Sequence, residues 1–153
     1  MKKFLTLVFF LTLISLSQST IFSHCEVPCG IYNDEVRFTM LTENIQTIEK
    51  AMQQVIQLSE ESPQNMNQIV RWIMNKEKHA EEIQHIISQY FLTQRIKSPD
   101  SEDKQAAERY IKNLTLCHQI LVYAMKTKQT TDLDNVEKLT SLVGEFKKVY
   151  FAK

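Results

Sequence analysis

The sequence predicts an all-α protein: an up-down four-helix bundle preceded by a non-helical N-terminal arm. Composition is the first reason, because the 153 residues include only 2 glycines and 3 prolines, too few for a loop-rich or all-β fold. Periodicity is the second, because apolar residues recur three and four positions apart in four long stretches, the spacing of amphipathic helices. Four such helices with short connections favour an up-down bundle in a single domain.

The first two predicted helices are separated by a polar segment. Asn33 or Asp34 is positioned to cap the first helix. Its predicted buried stripe consists of Leu41, Ile45, Ile48, Met52 and Val55. Ser62 and Pro63 are predicted as the N-cap and first residue of the second helix, which runs to about Thr93. Its buried stripe consists of Ile69, Ile73, Ala80, Ile83, Ile87 and Tyr90.

The third and fourth helices follow the break at residues 98–101. The third is predicted to bury Ala107, Ile111, Leu114, His118, Leu121 and Met125, and Cys117 is expected to be a small core residue. The polar residues 127–131 are predicted to form the turn before the last helix. That helix is predicted to bury Leu133, Val136, Leu139, Val143, Phe146 and Tyr150.

Residues 1–23 are predicted to be a leader that is removed on maturation. Lys2 and Lys3 precede an apolar run from Phe4 to Leu16, and small polar residues follow as far as Ser23. The run is shorter than the roughly 20 residues that span a bilayer, so no stable membrane anchoring is expected. We expect an exported protein, periplasmic or secreted, or a cytoplasmic one after leader removal if the segment is not a true signal peptide.

The charge balance argues against a nucleic-acid-binding protein. Removal of Lys2 and Lys3 with the leader leaves 16 basic against 18 acidic residues, a net charge of −2 with histidine neutral. A nucleic-acid-binding domain normally shows a clustered basic excess.

Cleavage before His24 would place a metal-binding set of atoms at the new N-terminus. The set comprises the terminal amine, the His24 imidazole, the Cys25 backbone nitrogen and the sulfurs of Cys25 and Cys29. Nitrogen and thiolate donors suit late first-row metals such as copper(II) or nickel(II). The alternative is a secreted helical metal-binding or interaction protein in which a Cys25–Cys29 disulfide forms and no catalysis occurs.

The segment His24-Cys25-Glu26-Val27-Pro28-Cys29-Gly30-Ile31-Tyr32 resembles the nickel hook of the nickel superoxide dismutase family, whose mature chains begin at that histidine. The resemblance implies disproportionation of superoxide to dioxygen and hydrogen peroxide at one nickel ion per subunit. It implies His24, Cys25 and Cys29 as metal ligands, with the His24 imidazole as an axial ligand of the oxidised metal. Residues 24–34 would then form the hook, and residues 35–153 the bundle.

The same resemblance implies roles outside the ligand set. Tyr32 would stand beside the open face of the metal as a second catalytic residue with His24, ordering water and limiting access of anions. Glu43 and His79 are the nearest candidates for side chains that hold the axial imidazole. Family members assemble as homohexamers, and a maturation peptidase removes their leader.

Overall fold

The computed structural model describes residues 33–99 and 102–152. Four α-helices form this part of the chain: α1 (Asp34–Glu60), α2 (Met66–His85), α3 (Lys104–Gln129) and α4 (Asp134–Phe151). A π-helical segment, Ile86–Arg95, continues directly from α2. No strand occurs among the described residues, and none of their helices is long and apolar enough to cross a bilayer. The all-α prediction is confirmed.

The helices pack as a ring in chain order. Helix α1 contacts α2 and α4, and α3 contacts the same two neighbours. Short connections between sequential neighbours reverse the chain direction at each step, which produces an up-down bundle. The four-helix prediction is therefore confirmed in both number and arrangement.

Asparagine side chains cap the first two helices. Asn33 caps α1, because its Oδ1 accepts a hydrogen bond from the Glu35 N–H at 2.9 Å. The predicted start of the second helix at Ser62 and Pro63 is wrong. Helix α2 begins at Met66, and the Asn65 side chain accepts from the N–H of Gln68 at 3.3 Å. Asparagine is as good an N-cap as serine, so the sequence alone does not distinguish Ser62 from Asn65 as the start of this helix.

The buried stripes of α1 and α4 agree with the predictions. All five predicted residues of α1 are buried, and so are Val136, Leu139, Val143 and Phe146 of α4. Two other predictions are wrong. Ile73 of α2 is 39% exposed. In α3, Ile111 is 60% and Met125 44% exposed, so the helix is rotated from the predicted orientation.

The face that α3 buries carries smaller and partly polar side chains. It consists of Asn113, Leu116, Cys117, Ile120, Ala124 and Thr127. Cys117 is a core residue, as predicted. Thr127 lies inside the helix and not in a turn, and its hydroxyl donates to the Ala124 carbonyl at 2.7 Å. That bond satisfies the buried hydroxyl, which would otherwise be costly to bury.

An aromatic cluster fills the end of the bundle where α1 begins and α4 ends. The rings of Phe38, Phe91 and Phe146 are fully buried, with centroids 4.9–5.2 Å apart. Burial of one such ring stabilises a fold by about 1.5–3 kcal/mol. Tyr150 packs on the same cluster, 5.3 Å from the Phe91 centroid. We call the rings of Phe38, Phe91, Phe146 and Tyr150 the aromatic platform. Asp34 lies one helical turn before Phe38 in α1.

At the C-terminus of α3, at the other end of the bundle, a buried lysine of α2 joins the two helices. The Lys76 ammonium of α2 donates to the carbonyl oxygens of Lys128 and Thr130 at 2.8 and 2.9 Å, and the residue is 4% exposed. The last carbonyls of a helix have no partner within it. Lys76 supplies that partner from a neighbouring helix.

Candidate metal centre

The residues that the sequence singled out as nickel ligands precede the described part of the chain. His24, Cys25 and Cys29 lie outside the described residues, and so do Tyr32 and the whole of segment 1–23. The description begins at Asn33, the residue after Tyr32. The structure therefore describes the helices that follow the predicted hook sequence.

The donor set of the hook fits nickel on chemical grounds. An amine, an amide nitrogen and two thiolates provide four donors that suit a tetragonal late-metal site. Within residues 33–99 and 102–152, no three His, Cys, Asp or Glu side chains gather as a metal site. Cys117 is a buried free thiol, and burial raises its pKa to about 12. It is therefore protonated at neutral pH and is a poor ligand.

Four side chains from three elements meet at the base of the hook. The Asp34 carboxylate accepts hydrogen bonds from the Tyr90 hydroxyl, from Arg95 Nη2 at 2.6 Å and from the Tyr150 hydroxyl at 2.8 Å. Asp34 opens α1, Tyr90 and Arg95 belong to the π-helical segment, and Tyr150 belongs to α4. We call these four residues the Asp34 cluster. It joins the start of α1 to two other elements, two residues after Tyr32.

The electrostatics of the Asp34 cluster favour the ionised carboxylate. Burial alone would raise the pKa of Asp34, but hydrogen bonds from Arg95, Tyr90 and Tyr150 outweigh it, and the pKa lies below its usual value. Burial together with the bond to Asp34 raises the pKa of Tyr90 to about 12. The phenol is therefore protonated at neutral pH and acts as a donor. The hydrogen bond to Asp34 also raises the pKa of Arg95.

The π-helical geometry explains how two residues of one element reach the same carboxylate. Tyr90 and Arg95 are five positions apart. In an α-helix, residues at that spacing point about 140° apart around the axis. In a π-helix, the backbone groups five apart are hydrogen-bonded, so the side chains lie on one face. The wider turn of Ile86–Arg95 thus aims both side chains at Asp34.

Glu43 and His79, the candidate partners of the axial imidazole, line one surface cavity. The cavity has a volume of about 350 Å³ and lies between α1 and α2, with Asn44 and Glu82 also in its wall. Glu43 is exposed, whereas His79 is partly buried. The two side chains share this cavity wall, but no hydrogen bond joins them.

His79 is oriented by a residue that the sequence did not single out. Its Nδ1 lies 2.6 Å from Oδ1 of Asn44, which is 9% exposed. Because an amide oxygen only accepts, the tautomer that makes this hydrogen bond is the one with its proton on Nδ1. Burial, followed by the nearby charge of Lys78, lowers the pKa of His79. The ring is therefore neutral at pH 7, and its Nε2 keeps a lone pair.

A second cavity adjoins the Asp34 cluster and is mainly basic. Its volume is about 380 Å³, and its wall includes Asp34, Arg95, Lys97 and Arg109. The wall of this cavity therefore has three cationic side chains and one carboxylate.

Sequence reasoning missed the Asp34 cluster and the Asn44–His79 pair. Asp34 was considered only as a helix cap or hook residue, and Tyr90 and Tyr150 as core residues. A signal was present, because Tyr90 and Tyr150 carry hydroxyl groups at positions that face the core, and such groups usually find a partner. The sequence contained no indication that the partner was Asp34.

Comparison with known proteins agrees with the motif. The model of the family of nickel-containing superoxide dismutases matches residues 19–153. No curated protein and no solved structure matches the chain. The family match spans most of the chain and includes both the hook sequence and all four helices. The chain therefore belongs to the nickel-containing superoxide dismutase family.

Proposed function

We propose that the chain matures to a superoxide dismutase that carries its metal at the mature N-terminus. Membership of the family supplies the activity, the disproportionation of superoxide to dioxygen and hydrogen peroxide with nickel as the cofactor. The single observation that carries the proposal is the family match over residues 19–153, which contains the whole segment from His24 to Tyr32. The alternative of a helical protein without catalysis is not favoured by this match.

In this proposal, the hook residues make nickel capable of one-electron chemistry. The sulfurs of Cys25 and Cys29, the Cys25 amide nitrogen, the His24 amine and the His24 imidazole would hold the nickel ion. Nickel held by these donors would supply a one-electron redox couple for the oxidation of one superoxide ion and the reduction of a second. Electron-rich thiolate and amide donors stabilise the oxidised state, which water alone would leave too oxidising.

Residues of the chain supply the protons that the reaction consumes. Each peroxide that leaves requires two protons. We assign Tyr32 to this role, because its phenol both donates and accepts hydrogen bonds and would hold a water that supplies a proton. The same ring restricts the access of larger anions.

We assign the cavity lined by Glu43, Asn44 and His79 to the imidazole of His24. Nine residues of helix separate Asp34 from Glu43, a rise of about 14 Å. The ten residues from His24 to Asn33 can span at most about 35 Å, so the assignment is within reach of the chain. With its Nδ1–H directed at Asn44, His79 presents Nε2 as an acceptor for an imidazole N–H.

Maturation is the step that creates the site. A peptidase must cut before His24, because only then does the His24 nitrogen become an amine; in the precursor it is an amide, which has no lone pair available to a metal until it loses its proton. The charged and apolar pattern of residues 1–23 supports export, to the periplasm or outside the cell. If the segment is a leader of another kind, the mature enzyme remains in the cytoplasm.

A homohexamer with one nickel per subunit is the assembly that we propose. An exposed apolar stripe on α2 supports contact between subunits: Met66, Val70 and Met74 are 58%, 48% and 67% exposed at helical spacing. Exposed apolar surface of this kind is typical of interaction sites. Light scattering of the purified protein should give six times the subunit mass, and a monomeric mass would contradict the proposal.

The deciding experiment is N-terminal sequencing, intact mass and metal analysis of the protein purified from its host, together with a superoxide dismutation assay. We expect a chain that begins at His24, one nickel per subunit and activity that chelation removes. A chain that begins at Thr20, or an oxidised Cys25–Cys29 pair without metal, would contradict the proposal and favour the helical protein without catalysis.

A further inference from the structure

The Asp34 cluster is placed at the junction between the bundle and the hook. Asp34 is the first residue of α1, two positions after Tyr32 and five after Cys29. Its three partners lie 56, 61 and 116 residues further along the chain. The two elements that supply them converge on this single carboxylate, whose side chain is only 16% exposed.

The N-terminus of α1 does not require the Asp34 cluster for its own stability. Asn33 already caps the helix, and Glu35 supplies an exposed acidic side chain in the first turn, paired with Lys147. The carboxylate of either Asp34 or Glu35 interacts favourably with the helix dipole. The cluster adds something that a cap does not, because it fixes the first residue of α1 to two other elements.

The three residues that donate to Asp34 also contact one another or the aromatic cluster. The Tyr150 ring packs against Phe38 and Phe91, with centroids 5.7 and 5.3 Å away, and the Tyr90 ring lies edge-on to Phe91 at 5.2 Å. The guanidinium of Arg95 lies 5.8 Å from the Tyr90 centroid. The donors are thus held by the aromatic platform, and π-helical turns of the kind that supplies two of them are frequently found at functional sites.

We infer that Asp34 is a positioning residue of the nickel site: with Tyr90, Arg95 and Tyr150 it fixes where and in which direction the hook leaves the bundle, and so where Cys29 and Tyr32 are presented. The inference rests on the proposed function. Outer partners that orient a metal site are worth about 10- to 100-fold in metal affinity or activity. Only Asn33 lies between Asp34 and Tyr32, so a displacement of Asp34 would also displace the point from which Tyr32 is presented.

The test compares two variants of the mature protein that differ by one position. Asp34→Asn keeps the shape of the side chain and removes its charge from the cluster. Glu35→Gln is the matched control, because it removes a carboxylate from the same helical turn but from an exposed pair with Lys147, which contributes little. For each variant we would measure the nickel dissociation constant by chelator competition, the nickel–thiolate absorption bands and the electron paramagnetic resonance of the oxidised protein.

We expect Asp34→Asn to raise the nickel dissociation constant or lower the dismutation rate by about 10-fold or more, and to shift or broaden the nickel spectra. Glu35→Gln should match the wild type. Spectra are recorded well below the melting temperature, where a purely structural role of Asp34 would leave them unchanged. Wild-type spectra and affinity in a folded Asp34→Asn protein, accompanied only by a lower melting temperature, would overturn the inference.

A milder variant keeps the inference testable if Asp34→Asn does not fold. Tyr150→Phe removes one hydroxyl and leaves the ring on the aromatic platform, and it should change the spectra in the same direction by a smaller amount; an unchanged spectrum would overturn the inference. Failure of the proposed function is distinguishable, because the wild-type protein itself would then take up no nickel. Loading and turnover in the wild type, with no change in either variant, would overturn the positioning role alone.

Discussion

At the residue scale, the three cysteines separate into two chemical kinds. Cys25 and Cys29 flank Pro28 in the proposed hook, whereas Cys117 is fully buried in α3, and burial raises its pKa to about 12. Metal binding needs the thiolate, and apolar burial suppresses it. Cys25 and Cys29 are therefore the proposed metal ligands, whereas Cys117 is a packing residue of the core.

This division predicts the outcome of single substitutions. Cys25→Ser or Cys29→Ser should abolish both nickel retention and dismutation, because a hydroxyl is not deprotonated under conditions where a thiol is. Metal analysis after gel filtration, with an activity assay, measures both. Cys117→Ala is the matched control and should retain nickel and activity with a loss of stability of about 1 kcal/mol. An active, nickel-bearing serine variant at either hook position would contradict the ligand assignment.

Tyr32 is predicted to act on protons and anions and not on metal retention. Tyr32→Phe removes only the hydroxyl, so the protein should keep a full complement of nickel while its turnover falls or its sensitivity to peroxide changes. Pulse radiolysis at several pH values, beside metal analysis, measures the effect. Loss of nickel from the variant would show that the hydroxyl is needed to build the site.

At the element scale, helix ends carry the polar contacts that connect the bundle. Lys76 of α2 completes the C-terminus of α3, and Asp34 at the start of α1 collects donors from the π-helical segment and α4. Each contact lies where a helix leaves backbone groups unpaired or where its dipole favours a charge. Their loss should be visible in stability.

Lys76→Met should lower the free energy of unfolding by about 1–3 kcal/mol, because two carbonyl groups lose their partner in a buried place. The thioether chain fills much of the space of the lysine stem, so most of the loss reports the hydrogen bonds. Lys50→Met, at an exposed position of α1, is the control and should be nearly neutral. Urea unfolding of metal-free protein measures both; equal stabilities would show that water replaces Lys76 at no cost.

The Asp34 cluster predicts a pH dependence of stability. The pKa of Asp34 is lower in the folded chain than the usual 3.8, so ionised Asp34 stabilises the fold above that value, and this contribution is lost as the pH falls through the folded pKa. The stability difference between the wild type and Asp34→Asn should therefore shrink from about pH 6 to below pH 3. Urea titrations of metal-free protein measure it. A difference that stays constant would mean that the charge contributes nothing.

At the scale of the whole molecule, the site depends on the position of the chain end. In the proposed site, the His24 nitrogen would bind nickel only as an amine, and binding would release protons from the thiols, the amine and the amide. A protein that retains Ser23 before His24 should fold normally by circular dichroism but bind nickel weakly and show no dismutation. Calorimetry with nickel on the two proteins measures the difference, and equal affinity would show that the terminal amine is not a ligand.

Much of this molecule could be predicted from sequence because the relevant signals are local. The apolar stripes of α1 and α4 are single and unbroken, so periodicity alone oriented both helices. Asn33 is a good cap directly before a periodic stretch, and the hook sequence from His24 to Tyr32 identified the metal and the reaction class, which the family match supports. Local patterns of this kind do not depend on how the bundle closes.

Other features were decided only by the tertiary structure. Helix α3 has apolar residues on two faces, and packing against α2 and α4 selected the one with Cys117 and Thr127 over the one with Ile111 and Met125. Asp34 acquires partners from 56 to 116 residues away, and the π-helical turn that aims two of them has no marker in the sequence. The physical reason is common to both cases: periodicity shows that a face can be buried, but the neighbours that bury it, and the polar groups they bring, are known only once the chain is packed.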